Sequence, residues 1–373
     1  MSINWNIHNP KGSHRVIVTS QLIGNRWLKI LTDADCRVEV AEARSSLSKN
    51  EIVSALGQSC AGVIGQGSES WDKEVMEKLR SAGGKVYTNY AVGYNNVNVP
   101  AATSLGIRVG NTPGVLTGAT AELAVALTLA VARRIPQGDS MMRKGEFSGW
   151  QSSLLLGDLI GRKTLGVIGA GRIGSAYARM MVEGSRMNLL YFNRHSNTAL
   201  EDSLAKFNGY LTENGEEQIR VRKASSIEEL LREADIVSLH VPLNESTRYL
   251  MNADRLRLMK KDAILINVSR GAVIDEQALV GHCRKNPEFK VGLDVYEDEP
   301  AMKPGLKDLP NAVLLPHIGS ATYWTREAMS VIAARNIAAI LQGYPSWKGE
   351  DMNAFLGDNP PQAAPSIVNA KEL

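Results

Sequence analysis

Short, unbroken runs of apolar and β-branched residues alternate along this chain with longer stretches whose apolar positions recur at helical spacing. Arg15-Val-Ile-Val-Thr19, Gly62-Val-Ile-Gly65 and Lys85-Val-Tyr87 read as buried strands, followed by helical patterns such as Ser70–Ser81. The alternation resumes beyond residue 160 with five strand candidates: Thr164–Gly169, Asn188–Phe192, Asp235–His240, Ala263–Asn267 and Val291–Asp294. Strands apolar throughout are covered on both faces, so the pattern predicts parallel sheets flanked by helices. Between the two sets, Ala119–Arg134 is a helical run without Gly or Pro, a stiff connector between two α/β domains.

Near the end of the chain, Thr325–Leu341 has a helical pattern and is expected to cross back to the first domain. The Pro-rich stretch Asp358–Pro365 should be extended or mobile rather than helical, and the polar segment 209–224 reads as a surface insertion. No internal repeat is visible.

Composition narrows the class. Of 373 residues, 44% are hydrophobic and 22% charged, ample for a large core without metal or disulfide support. Lys and Arg total 42 against 39 Asp and Glu, a net charge of +3 that advertises neither a nucleic-acid nor a membrane surface. Cys36, Cys60 and Cys283 are widely spaced, without a CxxC, and read as buried thiols rather than a disulfide or metal framework. The first twenty residues lack a signal-peptide core, and the longest apolar stretch, Ala121–Ala132, carries Glu122 and is too short to span a bilayer. The final residues, AKEL, match neither SKL nor KDEL, so the expectation is a cytoplasmic protein.

The strand Thr164–Ile168 runs into Gly169-Ala-Gly171-Arg172-Ile173-Gly174 and then into a helical segment. In that context the three glycines suit a dinucleotide: Gly169 for the turn, Gly171 for close approach of a pyrophosphate, Gly174 for helix–strand packing. Free N–H groups of Arg172 and Ile173 would face the phosphates. A site selecting NAD carries an acidic residue about 20 positions further on, where this chain has Asn193, followed by Arg194. A missing carboxylate and an added guanidinium favour NADP(H) over NAD(H), with acceptance of both as the alternative.

Three more segments each end an apolar strand: NVSRG at 267–271, GLDVYEDEP at 292–300 and LPHIGS at 315–320. Ligands of open α/β sheets bind beyond the carboxyl ends of the strands, so Arg270, Glu299 and His317 should converge. Glu297 and Asp298 are expected on a solvated face, and His240 as a satisfied core residue.

These motifs resemble the D-isomer-specific 2-hydroxyacid dehydrogenases, and within them are most similar to the plant-type hydroxypyruvate and glyoxylate reductases. The resemblance runs from about residue 15 to the SIVN at 366–369. It includes NYAVGYNNV at 89–97, NTPGVLT at 111–117, GVIGAGRIGSAYARMMVEG at 166–184, HVPLNESTRYLMN at 240–252 and NVSRGAVIDEQAL at 267–279. It implies a substrate domain of residues 1–116 and 319–373, flavodoxin-like, and a Rossmann dinucleotide-binding domain of 117–318, with a cleft that closes on substrate. By the same resemblance Arg270 would clamp the substrate carboxylate and carbonyl oxygen, and Val92 and Gly93 would offer backbone N–H groups to the carboxylate. His317 would donate the proton; Glu299 would orient the imidazole and favour its charged form. Asp294 would hold the nicotinamide carboxamide, and Val241, Pro242, Thr247, Val268, Ser269, Gly319 and Ser320 complete the implied cofactor contacts.

Two departures stand out. NADH-using plant relatives carry Asp where this chain has Asn193, and they commonly end in SKL, the peroxisomal signal. Gly118 also replaces a frequent Asp. The implied activity is reduction of hydroxypyruvate to D-glycerate and of glyoxylate to glycolate, by a homodimer whose interface would include helix 119–134. Gly65-Gln66-Gly67 and Trp324 are expected near the substrate and offer no phosphate clamp, favouring a small keto acid. The alternatives are a reductase of another 2-keto acid, or a nucleotide-sensing corepressor-like protein on the same fold.

Overall fold

The computed structural model describes residues 3–43 and 45–373. They divide into two compact bodies, Met1–Leu116 with Ser320–Leu373, and Thr117–Gly319. Each is an α/β unit built on a sheet of parallel strands.

In the first body the strands are β1 (Trp5–His8), β2 (His14–Val18), β3 (Cys36–Ala41), β4 (Gly62–Gln66), β5 (Val86–Tyr90) and β6 (Arg108–Gly110). Their order is β1-β3-β2-β4-β5-β6, with β1 antiparallel at the edge and the others parallel. Without β1 this is the flavodoxin order 2-1-3-4-5. Glu39 interrupts the apolar run of β3, and it is buried because Arg15 and Arg37 pair with it at 2.6 and 2.8 Å. The helix Tyr323–Leu341 belongs to this body and is buried nearly all round from Ala328 onward, against helix Arg26–Asp33 and strand β5. Burial on every side explains why it has no polar stripe.

The Pro-rich stretch after Asp358 is not helical, but it is packed. Ala363 and Ala364 are buried, Ala364 bridges Ser346, and Ile367 pairs antiparallel with Gly110. The C-terminal segment thus satisfies backbone groups on the open side of β6.

The second body carries β7 (Thr164–Ile168), β8 (Asn188–Phe192), β9 (Val221–Lys223), β10 (Ile236–Leu239), β11 (Ile264–Asn267), β12 (Lys290–Leu293) and β13 (Ala312–Leu314). All pair parallel in the order β13-β12-β11-β10-β7-β8-β9. That is the doubly wound Rossmann order 3-2-1-4-5-6 with a seventh strand, and its switch point lies between β7 and β10. Alternate residues serve opposite faces. Leu165, Val167, Leu189 and Tyr191 pack with helices Thr117–Ala132 and Arg172–Ser185, while Ile168, Leu190, Val237 and Leu265 pack with helices Ile227–Glu233 and Glu276–Lys285.

Residues 209–224, expected as an insertion, are part of the framework. They hold the end of helix Thr198–Glu213 and the edge strand β9. Three residues, Val-Arg-Lys, with only partial burial carry no apolar run, so the pattern could not reveal this strand. The connector forms helix Thr117–Ala132, ended where Arg134 turns left-handed (φ 53°) before a second helix, Ile135–Arg143. It packs on β12 at Gly292, where a Cβ would stand 2.7 Å from the Leu127 side chain. The three cysteines are buried, which pushes each thiol up to about 12.

Candidate active site

Several helices of the second body are capped by their own side chains. Asn197, Ser226, Asn252 and Asp275 each accept from a first-turn N–H. Helix Arg172–Ser185 differs. Its N-cap is Gly171, which offers no side chain, so the N–H groups of Arg172, Ile173 and Gly174 keep the positive helix end open. Gly169 has φ +95°, and a Cβ there would lie 2.8 Å from the His240 carbonyl carbon; at Gly174 it would lie 2.1 Å from Gly169 O. At Gly171 a Cβ would meet nothing within 4 Å. Two glycines therefore serve the protein's own packing, and the middle one borders open space at the positive end of the helix. Asn197 Nδ2 and Ser175 Oγ brace the turn on Ala170 O at 2.8 and 3.2 Å.

Asn193 directly follows β8, where Gly169 N donates to Phe192 O at 2.9 Å. Asn193 is half-buried and Arg194 is exposed beside it. On the other side of β7, Val241 and Pro242 follow β10, and Thr247 Oγ1 closes their loop by donating to Pro242 O at 2.6 Å.

β11, β12 and β13 bring the remaining groups together. At the end of β11, Asn267 Oδ1 accepts from Ser269 N (3.0 Å) and its Nδ2 donates to Arg270 O (2.9 Å), which turns the chain just past Val268. A Cβ on Gly271 would fall 1.8 Å from the Tyr296 carbonyl carbon, so only glycine lets the loop after β11 lie against the loop after β12. Tyr296 then acts twice: its N–H donates to Glu299 Oε1 at 2.9 Å and its hydroxyl to Leu315 O at 2.8 Å. Asp294 is buried, and its two oxygens accept from Ile318 N and Gly319 N, both at 2.8 Å. Held on both sides, the chain after β13 carries His317 in the left-handed region (φ 55°).

There His317 Nδ1 meets Glu299 Oε2 at 2.7 Å. With Nδ1 engaged, Nε2 is the ring nitrogen available for proton transfer. Burial pushes the Glu299 carboxyl up, but the His317 hydrogen bond and charge, the Tyr296 N–H and the Arg270 charge outweigh it and hold it below the ordinary range. Arg270 is drawn down by burial and partly restored by Glu299. For Asp294 burial wins over the two amides and His317, and its carboxyl is raised.

Val92, Gly93, Ser320, the Gly65-Gln66-Gly67 segment and Trp324 lie on the first body, and the other expected site residues on the second. Val92 and Gly93 form a half-buried loop after β5; Ser320 O accepts from Thr322 N at 2.9 Å, just before helix Tyr323–Leu341. Gln66 ends β4, and Trp324 is 60% exposed.

Two expectations need correction. Glu297 is not on a solvated face: its side chain is 7% exposed, accepts from Tyr249 Oη at 2.5 Å, and faces Lys303 at 3.5 Å. His240 is not fully satisfied. Its Nε2 meets Ser238 Oγ at 2.8 Å, but Nδ1 has no partner among the described residues, and burial pushes the ring down to about 3.

Sequence reasoning passed over Asn267, Tyr296 and Glu276, the last buried and accepting from Glu297 N (2.5 Å) and Lys303 N (3.1 Å). A polar Asn closing the apolar run Ala263–Ile266 was a readable turn signal; nothing in the sequence pairs Tyr296 with Leu315. Among the described residues no group of His, Cys, Asp and Glu could hold a metal ion, and no helix is long and apolar enough to cross a membrane.

Residues 125–319 match the family model for the NAD binding domain of D-isomer specific 2-hydroxyacid dehydrogenases. The chain is 53% identical over 371 residues to a glycerate dehydrogenase of Cucumis sativus, covering 98% of this chain and 97% of that protein. It is 52% identical over 375 residues to the peroxisomal glycerate dehydrogenase HPR of Arabidopsis thaliana, covering 100% and 97%. Among solved structures, the NADPH-dependent glyoxylate/hydroxypyruvate reductase of Sinorhizobium meliloti, in complex with NADP and malonate, superimposes with a TM-score of 0.72 at 28% identity. That match covers 91% of this chain and 97% of the other.

Proposed function

The chain belongs to the D-isomer specific 2-hydroxyacid dehydrogenases, and from that premise we propose a reductase of hydroxypyruvate to D-glycerate, and of glyoxylate to glycolate, using NAD(P)H. The observation that carries the chemistry is the 2.7 Å contact of His317 Nδ1 with a Glu299 carboxylate also under the charge of Arg270. A bound nicotinamide dinucleotide supplies the hydride. Arg270 holds the keto-acid carboxylate and polarises the carbonyl oxygen through its planar fork. His317 Nε2 gives its proton to that oxygen as it becomes a hydroxyl, and Glu299 orients the ring through Nδ1. The amides at Arg172–Gly174 would hold the dinucleotide's pyrophosphate and Asp294 its carboxamide, and Val92 and Gly93 would offer N–H groups to a carboxylate.

Arg194 beside an uncharged Asn193 supports a preference for NADP(H), since a 2′-phosphate gains a guanidinium and meets no carboxylate there. Six apolar residues between 135 and 159 are exposed in the chain: Ile135, Met142, Phe147, Trp150, Leu156 and Leu159. An apolar strip of that length supports a homodimer built on this segment more than on helix Thr117–Ala132, whose one exposed large apolar residue, Leu129, is less exposed than any of the six.

Initial rates with NADPH and NADH against hydroxypyruvate, glyoxylate, pyruvate and 3-phosphohydroxypyruvate test the reading. Hydroxypyruvate and glyoxylate should be the best substrates. His317→Ala should lower kcat by roughly 100-fold or more while cofactor affinity, read by fluorescence titration, stays within about twofold. Arg194→Ala should raise the KM for NADPH about tenfold and barely move that for NADH. Retained turnover without His317, or equal effects on both cofactors without Arg194, would overturn the respective assignment.

A further inference from the structure

Past β5 the chain runs Ala91-Val92-Gly93-Tyr94, and three successive carbonyls are each captured by a buried donor. Thr112 N donates to Ala91 O at 3.0 Å, Asn111 Nδ2 to Val92 O at 2.8 Å, and Asn89 Nδ2 to Gly93 O at 2.7 Å. In a trans peptide the N–H points opposite to the carbonyl of the same plane. Anchoring these three oxygens therefore aims the N–H groups of Val92, Gly93 and Tyr94 the other way, and none of them donates to another group among the described residues. Three N–H groups without an internal acceptor are available to an anion.

The two asparagines cannot reverse. Asn89 is fully buried, and its Oδ1 accepts from Tyr87 Oη at 2.8 Å and Asn96 Nδ2 at 3.2 Å. Asn111 Oδ1 accepts from Ser366 Oγ at 2.6 Å, so a flipped amide would set oxygen against Val92 O. Ser366 is itself fixed: its N–H donates to Asn336 Oδ1 at 2.8 Å, and Asn336 Nδ2 donates to Asn111 O at 3.1 Å. Asn336 lies on the buried helix Tyr323–Leu341 and is fully buried.

We propose that Asn89 and Asn111 are positioning residues that preset the Val92–Tyr94 amides for a carboxylate, and that Ser366, from the far end of the chain, locks Asn111 in the donating orientation. This rests on the reading of that loop as the carboxylate receptor. It adds Tyr94 N–H as a third donor and gives the C-terminal segment a part in substrate affinity. A preset receptor costs no ordering on binding, so its loss shows in substrate affinity before it shows in the rate of the bound complex.

Asn111→Asp and Asn89→Asp keep the shape and the acceptor, replace the donor with an oxygen and add a negative charge; the uncharged Ser366 variants separate lost positioning from charge repulsion. The expected result is a rise of about tenfold or more in the keto-acid KM, equivalent to about 1.4 kcal/mol, with the KM for NADPH within about twofold. Binding of oxalate, measured by calorimetry without turnover, should weaken in parallel. Ser366→Ala should raise the same constants by roughly threefold, and Ser366→Thr, which keeps the hydroxyl, should restore them. The Ser366 pair decides the matter if a buried aspartate prevents folding. Unchanged oxalate and keto-acid affinity in a folded Asn111→Asp chain overturns the proposal, as does Ser366→Thr behaving like Ser366→Ala. Wild-type protein that binds oxalate but reduces neither keto acid sinks the proposed reaction and leaves the anchored loop standing.

Discussion

Glu299 sits under opposed influences: partial burial, which disfavours its charge, and His317, Tyr296 and Arg270, which favour it more. Because its folded value is depressed, the stability it adds is present above about pH 4.3, the ordinary glutamate value, and drains as pH falls through the lower folded value. In the proposed reaction the same carboxylate orients the His317 ring through Nδ1, so Glu299→Gln should cut kcat by about 10- to 100-fold. Initial rates with hydroxypyruvate check this; an unchanged kcat would remove Glu299 from the proton-donor pair. At this scale Arg270, Glu299 and His317 were legible because each sits in a short motif after a strand. Glu297 was misread because its burial depends on Tyr249, 48 residues away.

Elements decide how near those motifs come to one another. The loops after β11 and β12 touch where Gly271 meets Tyr296, with no room for a Cβ. Gly271→Ala should therefore push the Arg270 loop away from Glu299 and destabilise the second body by about 1–3 kcal/mol, as overpacking does. Thermal denaturation reads the second effect and the keto-acid KM the first; a variant with wild-type values for both would contradict the contact. Most strands of the second sheet were readable as apolar runs, since a strand covered on both faces has no polar side. β9 was not, because an edge strand of three residues is recognised by its partner β8 rather than by its own composition.

For the whole molecule, the exposed apolar segment between Ile135 and Leu159 leads to a prediction about assembly. Sedimentation should give twice the mass of the chain, and Trp150→Glu with Leu159→Glu should shift it toward the monomer, since two charges in an apolar interface go unpaired. A wild-type monomer at micromolar concentration would exclude the dimer. The C-terminal segment closes on β6 of the first body: Ile367 pairs with Gly110, and Asn369 holds Val109 N at 2.9 Å. By itself the sequence determined the α/β class and the glycine turn, because periodicity and turn chemistry act over a few neighbouring residues, and motifs after three strands nominated Arg270, Glu299 and His317 as candidates. Only the tertiary structure decided which partner other polar groups find: Tyr249 for Glu297 across 48 residues, and Ser366 for Asn111 across 255. Burial sets those pairings, since a polar group removed from water must take the donor or acceptor that folding brings within reach.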